Sequence, residues 1–105
     1  MTGYIETMRR DDVIARLKQT EPALRGIGVA GLYLFGSHAR DDARPDSDID
    51  VFIDPDPGKA FGFLPFMEAY ETIQQAVGCN VDYGTRKGLR PLLRPDIERE
   101  AVRVF

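Results

Sequence analysis

The sequence is poor in the features that mark secreted and membrane proteins. It contains one cysteine, Cys79, so no disulfide can form within the chain, and we expect a reducing, cytoplasmic setting. No apolar run approaches the roughly 20 residues that a membrane-spanning helix needs. The N-terminal stretch MTGYIETMRRDD lacks the apolar segment of a secretory signal. We therefore predict neither a membrane span nor export.

An excess of basic residues is also missing. The 105 residues include 14 Lys and Arg against 17 Asp and Glu, which gives a net charge of −3. Proteins that hold nucleic acid by its phosphates usually present a basic surface, so we predict no direct binding to nucleic acid. The length and a hydrophobic content of 43% fit a single globular domain over residues 1–105.

Two segments have the periodicity of amphipathic helices. The first covers residues 11–25; Asp11 or Asp12 is expected to cap its start, and Pro22 is expected to divide or kink it. The second covers residues 61–77 and is followed by a glycine, which commonly ends helices. We expect the apolar stripe of this second helix to face the core. Its members are Phe63, Phe66, Met67, Tyr70, Ile73 and Val77.

Short apolar or alternating runs predict strands at residues 32–35, 48–54, 79–84 and 102–105. The segment 89–101 contains two prolines and is predicted to be helical in part. Helices and strands are therefore interspersed along the chain. We predict a mixed α/β (α+β) domain with a small mixed β-sheet and helices packed on one side.

An acid-rich loop separates the first two predicted strands, in the stretch LYLFGSHARDDARPDSDIDVFID. Residues two apart on a strand point to the same side, so Asp48 and Asp50 present two neighbouring carboxylates. Like charges at this separation repel each other, and a divalent cation removes the penalty. Mg²⁺ typically binds one or two carboxylates together with substrate phosphates. The alternative is that both aspartates face water, as exposed acids usually do.

A Gly-Ser turn follows the first predicted strand. Gly36 lets a ligand approach the backbone closely, and free N–H groups at the start of a short helix favour phosphate. We expect Ser37 to cap that helix through its hydroxyl, which can also contact the ligand. The guanidinium of Arg40, one turn further on, can reach the same phosphates. A lone histidine in such a turn is most often a surface residue, and we expect this of His38.

Asp82 supplies a third acid in the next predicted strand. If that strand neighbours the second one, its carboxylate faces the pair formed by Asp48 and Asp50. It can then ligate a metal ion or accept a proton from an attacking hydroxyl. The alternative is a solvent-exposed aspartate at the end of a strand. A phosphate-binding turn and metal-binding carboxylates on adjacent strands are the two halves of a nucleotide site.

These residues resemble a known family. The segment GSHARDDARPDSDID has Gly-Ser, then ten residues, then Asp-x-Asp. This pattern resembles the nucleotidyltransferase superfamily related to DNA polymerase β. More narrowly, it is similar to the minimal nucleotidyltransferase (MNT) proteins that pair with HEPN-domain ribonuclease toxins. The resemblance covers most of the chain. In this sequence Asp41 and Asp42 follow Arg40, where many relatives have glycine directly after the arginine.

The resemblance implies a polymerase β-like core that transfers AMP from ATP and releases pyrophosphate. In the toxin–antitoxin members the acceptor is a tyrosine hydroxyl of the partner HEPN toxin, which implies an antitoxin in a hetero-oligomer with that toxin. The predicted nucleotide-binding residues are Gly36, Ser37, Arg40 and Ser47. The acids predicted to be catalytic and to bind Mg²⁺ are Asp48, Asp50 and Asp82.

Two other functions remain open. An adenylyltransferase for small molecules such as aminoglycosides usually has a second domain that binds the acceptor, and little chain follows Asp82. A non-catalytic antitoxin would neutralise its toxin by occlusion, and an intact set of acids argues against that reading.

The rest of the chain offers two candidate docking surfaces. Aromatic residues of the segment 61–70 are expected in the core, with some exposed for a partner. The tail from Arg86 onward either contacts the triphosphate or an acidic partner, or forms ion pairs on a solvated face. We expect Cys79 to be a small core residue. The basic residues of the tail are Arg86, Lys87, Arg90, Arg94, Arg99 and Arg103.

Overall fold

The computed structural model describes residues 8–105. The strands are β1 (Val29–Phe35), β2 (Ile49–Pro55), β3 (Val81–Thr85) and β4 (Val102–Arg103). The helices are α1 (Arg10–Lys18), α2 (Glu21–Ile27), α3 (Gly36–Ala39), α4 (Phe63–Val77) and α5 (Arg94–Glu100). The strands form one sheet in the order β3-β2-β1-β4, with both parallel and antiparallel pairs. The predicted small mixed sheet with interspersed helices is confirmed.

The first helical pattern is divided as predicted, because Pro22 lies in the first turn of α2 and α1 has already ended. The predicted cap is wrong. Asp11 and Asp12 lie inside the first turn of α1 and make no side-chain cap. The N–H of Arg10 instead donates to Asp41 Oδ1 at 3.0 Å. A carboxylate from the distant acid-rich loop therefore satisfies a donor that the local sequence leaves unpaired.

The position of β2 inside the sheet brings the acids together. β2 pairs antiparallel with β1, which sets Phe35 opposite Asp50, and parallel with β3, which sets Asp50 opposite Asp82. A parallel pair needs a crossover connection, and α4 supplies it. β1 begins at Val29, earlier than predicted, because Gly28 ends α2 in the left-handed region with φ +118° and the chain enters the sheet at once.

One face of the sheet packs against α1, α2 and α4, and the other face carries the acids. The alternation along a strand separates the two sets of side chains. Leu32, Leu34, Ile49, Val51 and Ile53 are buried in the core with residues of the helices. The helical core residues are Val13, Leu17, Leu24, Ala69, Ile73 and Val77. By the same alternation, the opposite face holds Tyr33, Phe35, Asp50, Phe52 and Asp54.

Helix α4 ends as predicted at Gly78, which adopts φ +72°. Its apolar stripe is buried at Ile73 and Val77, but Phe63 at its start is 73% exposed, so the expectation of a core position is wrong there. Phe66 occupies the edge of the core instead, with its ring centroid 4.7 Å from that of Tyr83. Within residues 8–105 we find no helix long and apolar enough to cross a membrane.

The C-terminal tail returns across the sheet. After β3 the chain forms a short 3₁₀ turn, the predicted partial helix appears as α5, and β4 pairs antiparallel with β1. Arg86 fastens the tail, because its Nε and Nη2 both donate to Asp54 at 2.9 Å and its Nη1 donates to Glu98 at 2.7 Å. Its guanidinium carbon lies 4.7 Å and 4.9 Å from the ring centroids of Tyr33 and Phe52. The tail therefore covers part of the acid-bearing face.

Candidate active site

The Gly-Ser turn lies directly against the acids. Gly36 has φ +74°, and a Cβ built on it would overlap Asp50 Oδ2. Only glycine fits there, because any side chain would meet the carboxylate and strain the backbone. The sequence predicts that a ligand comes close to the backbone at Gly36. In the structure the side chain of Asp50 also comes close to the backbone there.

Ser37 does not cap the short helix. Helix α3 begins at Gly36, its cap position is Phe35, and no side chain caps it. The helix starts one residue earlier than the prediction assumed, so Ser37 lies within the first turn and the N-cap prediction is wrong. Its side chain is half-buried beside Gly36, so the predicted role in nucleotide binding stays a prediction.

Arg40 lies at the end of α3, and its guanidinium is held by two carboxylates. Its Nε donates to Asp42 Oδ2 at 3.2 Å, and its Nη1 lies 3.3 Å from Glu100 Oε2. The hydrogen bonds to Asp42 and Glu100 raise the pKa of Arg40. Glu100 also accepts the backbone N–H of Gly36 at 3.0 Å. Two of the groups predicted to bind phosphate therefore hold a carboxylate in this structure.

Glu100 is the residue of this site that the sequence did not reveal. The pairing of β4 with β1 sets Leu34 opposite Val102, and this antiparallel register, continued by two residues, places Glu100 opposite Gly36. The contact depends on a strand pairing between distant parts of the chain. Nothing in the local sequence around Glu100 distinguishes it from the other acids of the tail.

The three predicted acids come together at the start of β2 and β3. Asp50 and Asp82 occupy paired positions on adjacent parallel strands, and Asp48 precedes β2 by one residue. Asp50 is half-buried, and its pKa is raised to about 6. Burial is the largest cause, followed by the charges of Asp82 and Asp48, while Arg40 acts in the opposite direction. This is the expected behaviour of a carboxylate crowded by like charges.

The acids do not form a ready-made metal cage. In the part of the chain from residue 8 onward, no group of three or more His, Cys, Asp and Glu side chains is arranged to hold a metal ion. Mg²⁺ does not require such a cage, because it is usually bound by one or two carboxylates plus water and substrate phosphates. The crowded carboxylates of Asp50, Asp82 and Asp48 fit that ion, since their repulsion is relieved by a divalent cation.

His38 is buried, with 4% of its surface exposed, so the expectation of a surface histidine is wrong. Its Nδ1 lies 3.2 Å from the carbonyl oxygen of Asp48. A carbonyl oxygen only accepts, so Nδ1 carries the proton and donates. The turn folds back over the start of β2, and the imidazole is buried by that contact. His38 thereby holds the backbone that carries Asp48.

The acid-rich loop is tied together by its own polar groups. The hydroxyl of Ser47 accepts the N–H of Arg44 at 2.9 Å, and the N–H of Ser47 donates to the carbonyl of Arg44 at 3.0 Å. Asp41 binds the start of α1, and Asp42 binds Arg40. Ser47 closes this loop next to Asp48, and its predicted contact with the nucleotide stays a prediction.

A cavity of about 410 Å³ lies beside Asp82 on the acid-bearing side. Its wall is largely apolar, with Phe35 from the sheet and Leu89, Leu93 and Ile97 from the tail. Arg90 is the basic residue of the lining. The cavity is large enough for a flat ring, and it opens next to Asp82, one of the acids predicted to be catalytic.

The tail largely fits the ion-pair interpretation. Arg86 and Arg94 both pair with Glu98, and Arg99 pairs with Asp96. These pairs lie within the tail itself, so the tail is not a uniformly basic surface. Cys79 is half-buried and packs against the edge of the core, close to the position expected of it.

The arrangement matches a known sequence family. The family model described as nucleotidyltransferase domain matches residues 11–104. This chain belongs to the nucleotidyltransferase domain family. Protein adenylyltransferase MntA of Thermococcus cleftensis is 31% identical over 77 residues, which cover 73% of this chain and 76% of that protein. The resemblance inferred from the Gly-Ser and Asp-x-Asp residues is confirmed, and the chain is a nucleotidyltransferase.

Solved structures agree with this assignment. One, described as a "putative minimal nucleotidyltransferase", superposes with a TM-score of 0.75 at 29% identity and covers 92% of this chain and 97% of its own. Another is the complex of an MNT antitoxin with a tri-AMPylated HEPN toxin of Shewanella oneidensis, with a TM-score of 0.59 at 16% identity and coverage of 88% and 71%. The second shares the fold of this nucleotidyltransferase.

Proposed function

We propose that this nucleotidyltransferase moves AMP from ATP to a hydroxyl of a partner protein. The observation that carries the proposal is the pairing of Asp50 with Asp82 on adjacent strands, with Asp50 directly against Gly36 and within electrostatic reach of Arg40. Gly36 and Arg40 already hold a carboxylate in this structure, so they are competent to bind an anion. The similarity to the protein adenylyltransferase MntA supports AMP as the transferred group.

Each predicted site residue has a place in this proposal. The turn and the loop hold the triphosphate through Gly36, Ser37, Arg40 and Ser47. The acids Asp48, Asp50 and Asp82 would hold Mg²⁺, and the ion would supply positive charge to offset that of the phosphates during transfer. Every other contribution comes from the chain, which orients the α-phosphate toward the open side of β2 and β3.

The chemical step is an in-line displacement at the α-phosphorus. A bond forms between the acceptor oxygen and the α-phosphorus, and the bond from the α-phosphorus to the bridging oxygen of the β-phosphate breaks. The acceptor proton passes to the carboxylate of Asp82, whose exposed position on β3 leaves it accessible to the acceptor. Pyrophosphate leaves from the side of Gly36 and Arg40.

The proposed acceptor is a tyrosine hydroxyl of a HEPN-domain toxin, and the enzyme then acts as its antitoxin in a hetero-oligomer. The fold neighbour that accompanies an AMPylated HEPN toxin supports this choice of partner. The apolar cavity next to Asp82 supports an aromatic acceptor, because Leu89 and Leu93 can pack against a ring while its hydroxyl meets the acid.

The test is a transfer assay that uses a HEPN-domain protein as the candidate acceptor. With ATP and Mg²⁺, intact-mass analysis should show addition of one or more AMP groups to that protein. Asp82→Asn should stop the addition and still form the complex, because it removes a carboxylate and very little contact area. Asp46→Asn, which removes an exposed carboxylate from the loop before β2, is the matched control and should leave transfer unchanged.

The same assay separates the rival functions. If the wild type and Asp82→Asn neutralise the toxin equally and no mass is added, the chain is a binding antitoxin without catalysis. If AMP is transferred to an aminoglycoside and not to the toxin, the small-molecule interpretation is correct.

The identity of the donor nucleotide needs its own test, because Gly36 and Arg40 are proposed to bind phosphate and not a base. A thermal-shift titration of the four nucleoside triphosphates determines whether ATP is the donor.

A further inference from the structure

Glu100 is a charged side chain at the centre of the site to which the proposed reaction assigns no role. It is the last residue of α5, and its carboxylate accepts the N–H of Gly36 at 3.0 Å. The same carboxylate lies 3.3 Å and 3.4 Å from Arg40 Nη1. Its oxygens therefore occupy the donors that the proposed function assigns to phosphate oxygens.

This contact and a bound triphosphate exclude each other. A backbone N–H donates one good hydrogen bond, so the N–H of Gly36 cannot serve both Glu100 and a phosphate oxygen. The carboxylate would also lie next to the phosphate charges, in a place that already holds Asp50. The charge of Glu100 contributes to the raised pKa of Asp50, which places the two acids within electrostatic reach of each other.

Polar side-chain contacts, and not buried apolar side chains, hold helix α5 in place. It lies wholly within the described range and contains no fully buried side chain. Polar contacts attach it to the sheet, through Arg86 with Glu98 and through Glu100 with the Gly36 turn. The chain on either side is fixed more firmly, by β3 before it and by the pairing of β4 with β1 after it. A local displacement of α5 therefore leaves the sheet intact.

We propose that Glu100 occupies the phosphate subsite of the nucleotide-free enzyme and is displaced by the triphosphate. The inference rests on the proposed nucleotide site at Gly36 and Arg40. Glu100 then limits nucleotide affinity, because every binding event must first break its hydrogen bonds to those groups. It also couples the position of α5, and with it the cavity lined by Leu93 and Ile97, to the presence of nucleotide.

The first test measures ATP affinity by isothermal titration calorimetry in the presence of Mg²⁺. Glu100→Ala should bind ATP about tenfold more tightly than the wild type, which corresponds to the loss of one competing charge-assisted contact. Glu100→Gln keeps a weaker acceptor and should lie between the two. Asp96→Ala removes an exposed carboxylate of the same helix that pairs with Arg99, and its affinity for ATP should equal that of the wild type.

Equal or weaker ATP binding by Glu100→Ala would overturn the inference and leave the proposed function standing, since Glu100 would then be a positioning residue for Arg40. If the wild type and all three variants fail to bind ATP, the proposed function fails, and the inference fails with it.

The second test is hydrogen exchange of the wild type with and without ATP. Exchange of the amides of α5 should increase on ATP binding, and unchanged protection of α5 in the ATP complex would refute displacement.

Discussion

The surroundings of Asp50 disfavour the ionised form of its carboxyl group. It lies between the Gly36 turn and the carboxylate of Asp82, and burial together with neighbouring acids raises its pKa to about 6 from 3.8. The proton is held more tightly in the folded chain than in the unfolded one. Asp50 therefore stabilises the fold below about pH 4, and this contribution is lost as the pH rises through about 6.

We predict that Asp50→Asn stabilises the metal-free protein at about pH 7.5 by about 1 kcal/mol. A shift of this size in a fully buried group would correspond to roughly 3 kcal/mol, and solvent screening of the half-exposed carboxylate reduces it. Urea denaturation of both proteins at several pH values measures the difference, which should vanish near pH 4. Mg²⁺ should stabilise the wild type at about pH 7.5 and not the variant.

Asp46→Asn serves as the control for loss of one negative charge, because Asp46 is exposed and lies in the loop before β2, outside the paired strands. It should leave the pH dependence of the wild type unchanged. If the stability of Asp50→Asn depends on pH as that of the wild type does, Asp50 is not the group whose raised pKa causes the pH dependence. The argument for a Mg²⁺ site at the three acids then loses its support.

At the scale of elements, the tail helix depends on one arginine. Arg86 makes a bidentate contact with Asp54 and a further contact with Glu98, and it lies over two aromatic rings of the sheet. Charge-assisted bidentate pairs are among the stronger polar contacts, and stacking on aromatic faces adds to them. Helix α5 has no fully buried side chain of its own, so these contacts are a main anchor of the helix on the sheet.

We predict that Arg86→Ala lowers the free energy of unfolding by about 2 kcal/mol, since it leaves Asp54 and Glu98 facing each other without a cation. Arg99→Ala is the matched control, because Arg99 and its partner Asp96 are 72% and 74% exposed. It should change the free energy of unfolding by less than about 0.5 kcal/mol. Urea denaturation midpoints of the two variants provide the comparison, and equal losses would show that Arg86 is an ordinary surface residue.

At the scale of the whole molecule, the two faces of the sheet have different surroundings. One side is closed by α1, α2 and α4 and forms the core, and the other carries the acids under a partial cover. The exposed apolar residues also fall into two places. Phe63 and Leu64 lie at the start of α4, on the core side, while Leu92 and Leu93 lie in the tail, where Leu93 lines the cavity beside Asp82.

We predict that the proposed HEPN partner docks on the tail surface and not on α4. Leu92 is 93% exposed, and Leu92→Ser should weaken the complex at least tenfold by removing one apolar anchor. Phe63→Ser changes a residue that is 73% exposed on the other side of the sheet and should leave the affinity unchanged. Surface plasmon resonance with immobilised toxin measures both, and the reverse order would place the partner on α4.

The sequence by itself determined the parts of the site that lie close together along the chain. Gly36, Asp48 and Asp50 belong to one strand–turn–strand. The alternation of side chains along a strand and the conformational freedom of glycine therefore predict that these three residues lie close together. The division at Pro22 and the end of α4 at Gly78 follow from local backbone chemistry in the same way. The sequence left open whether the strand of Asp82 neighbours β2, and the parallel pairing of β2 with β3 answered that question.

The tertiary structure alone decided the contacts between distant segments. Glu100 reaches Gly36 through the register of β4 with β1, Asp41 caps α1, and His38 is buried against Asp48. A sequence specifies local propensity and facing directions, but it does not show which unpaired donor meets which distant carboxylate. That choice depends on strand order and register, which place residues 64 positions apart within hydrogen-bonding distance.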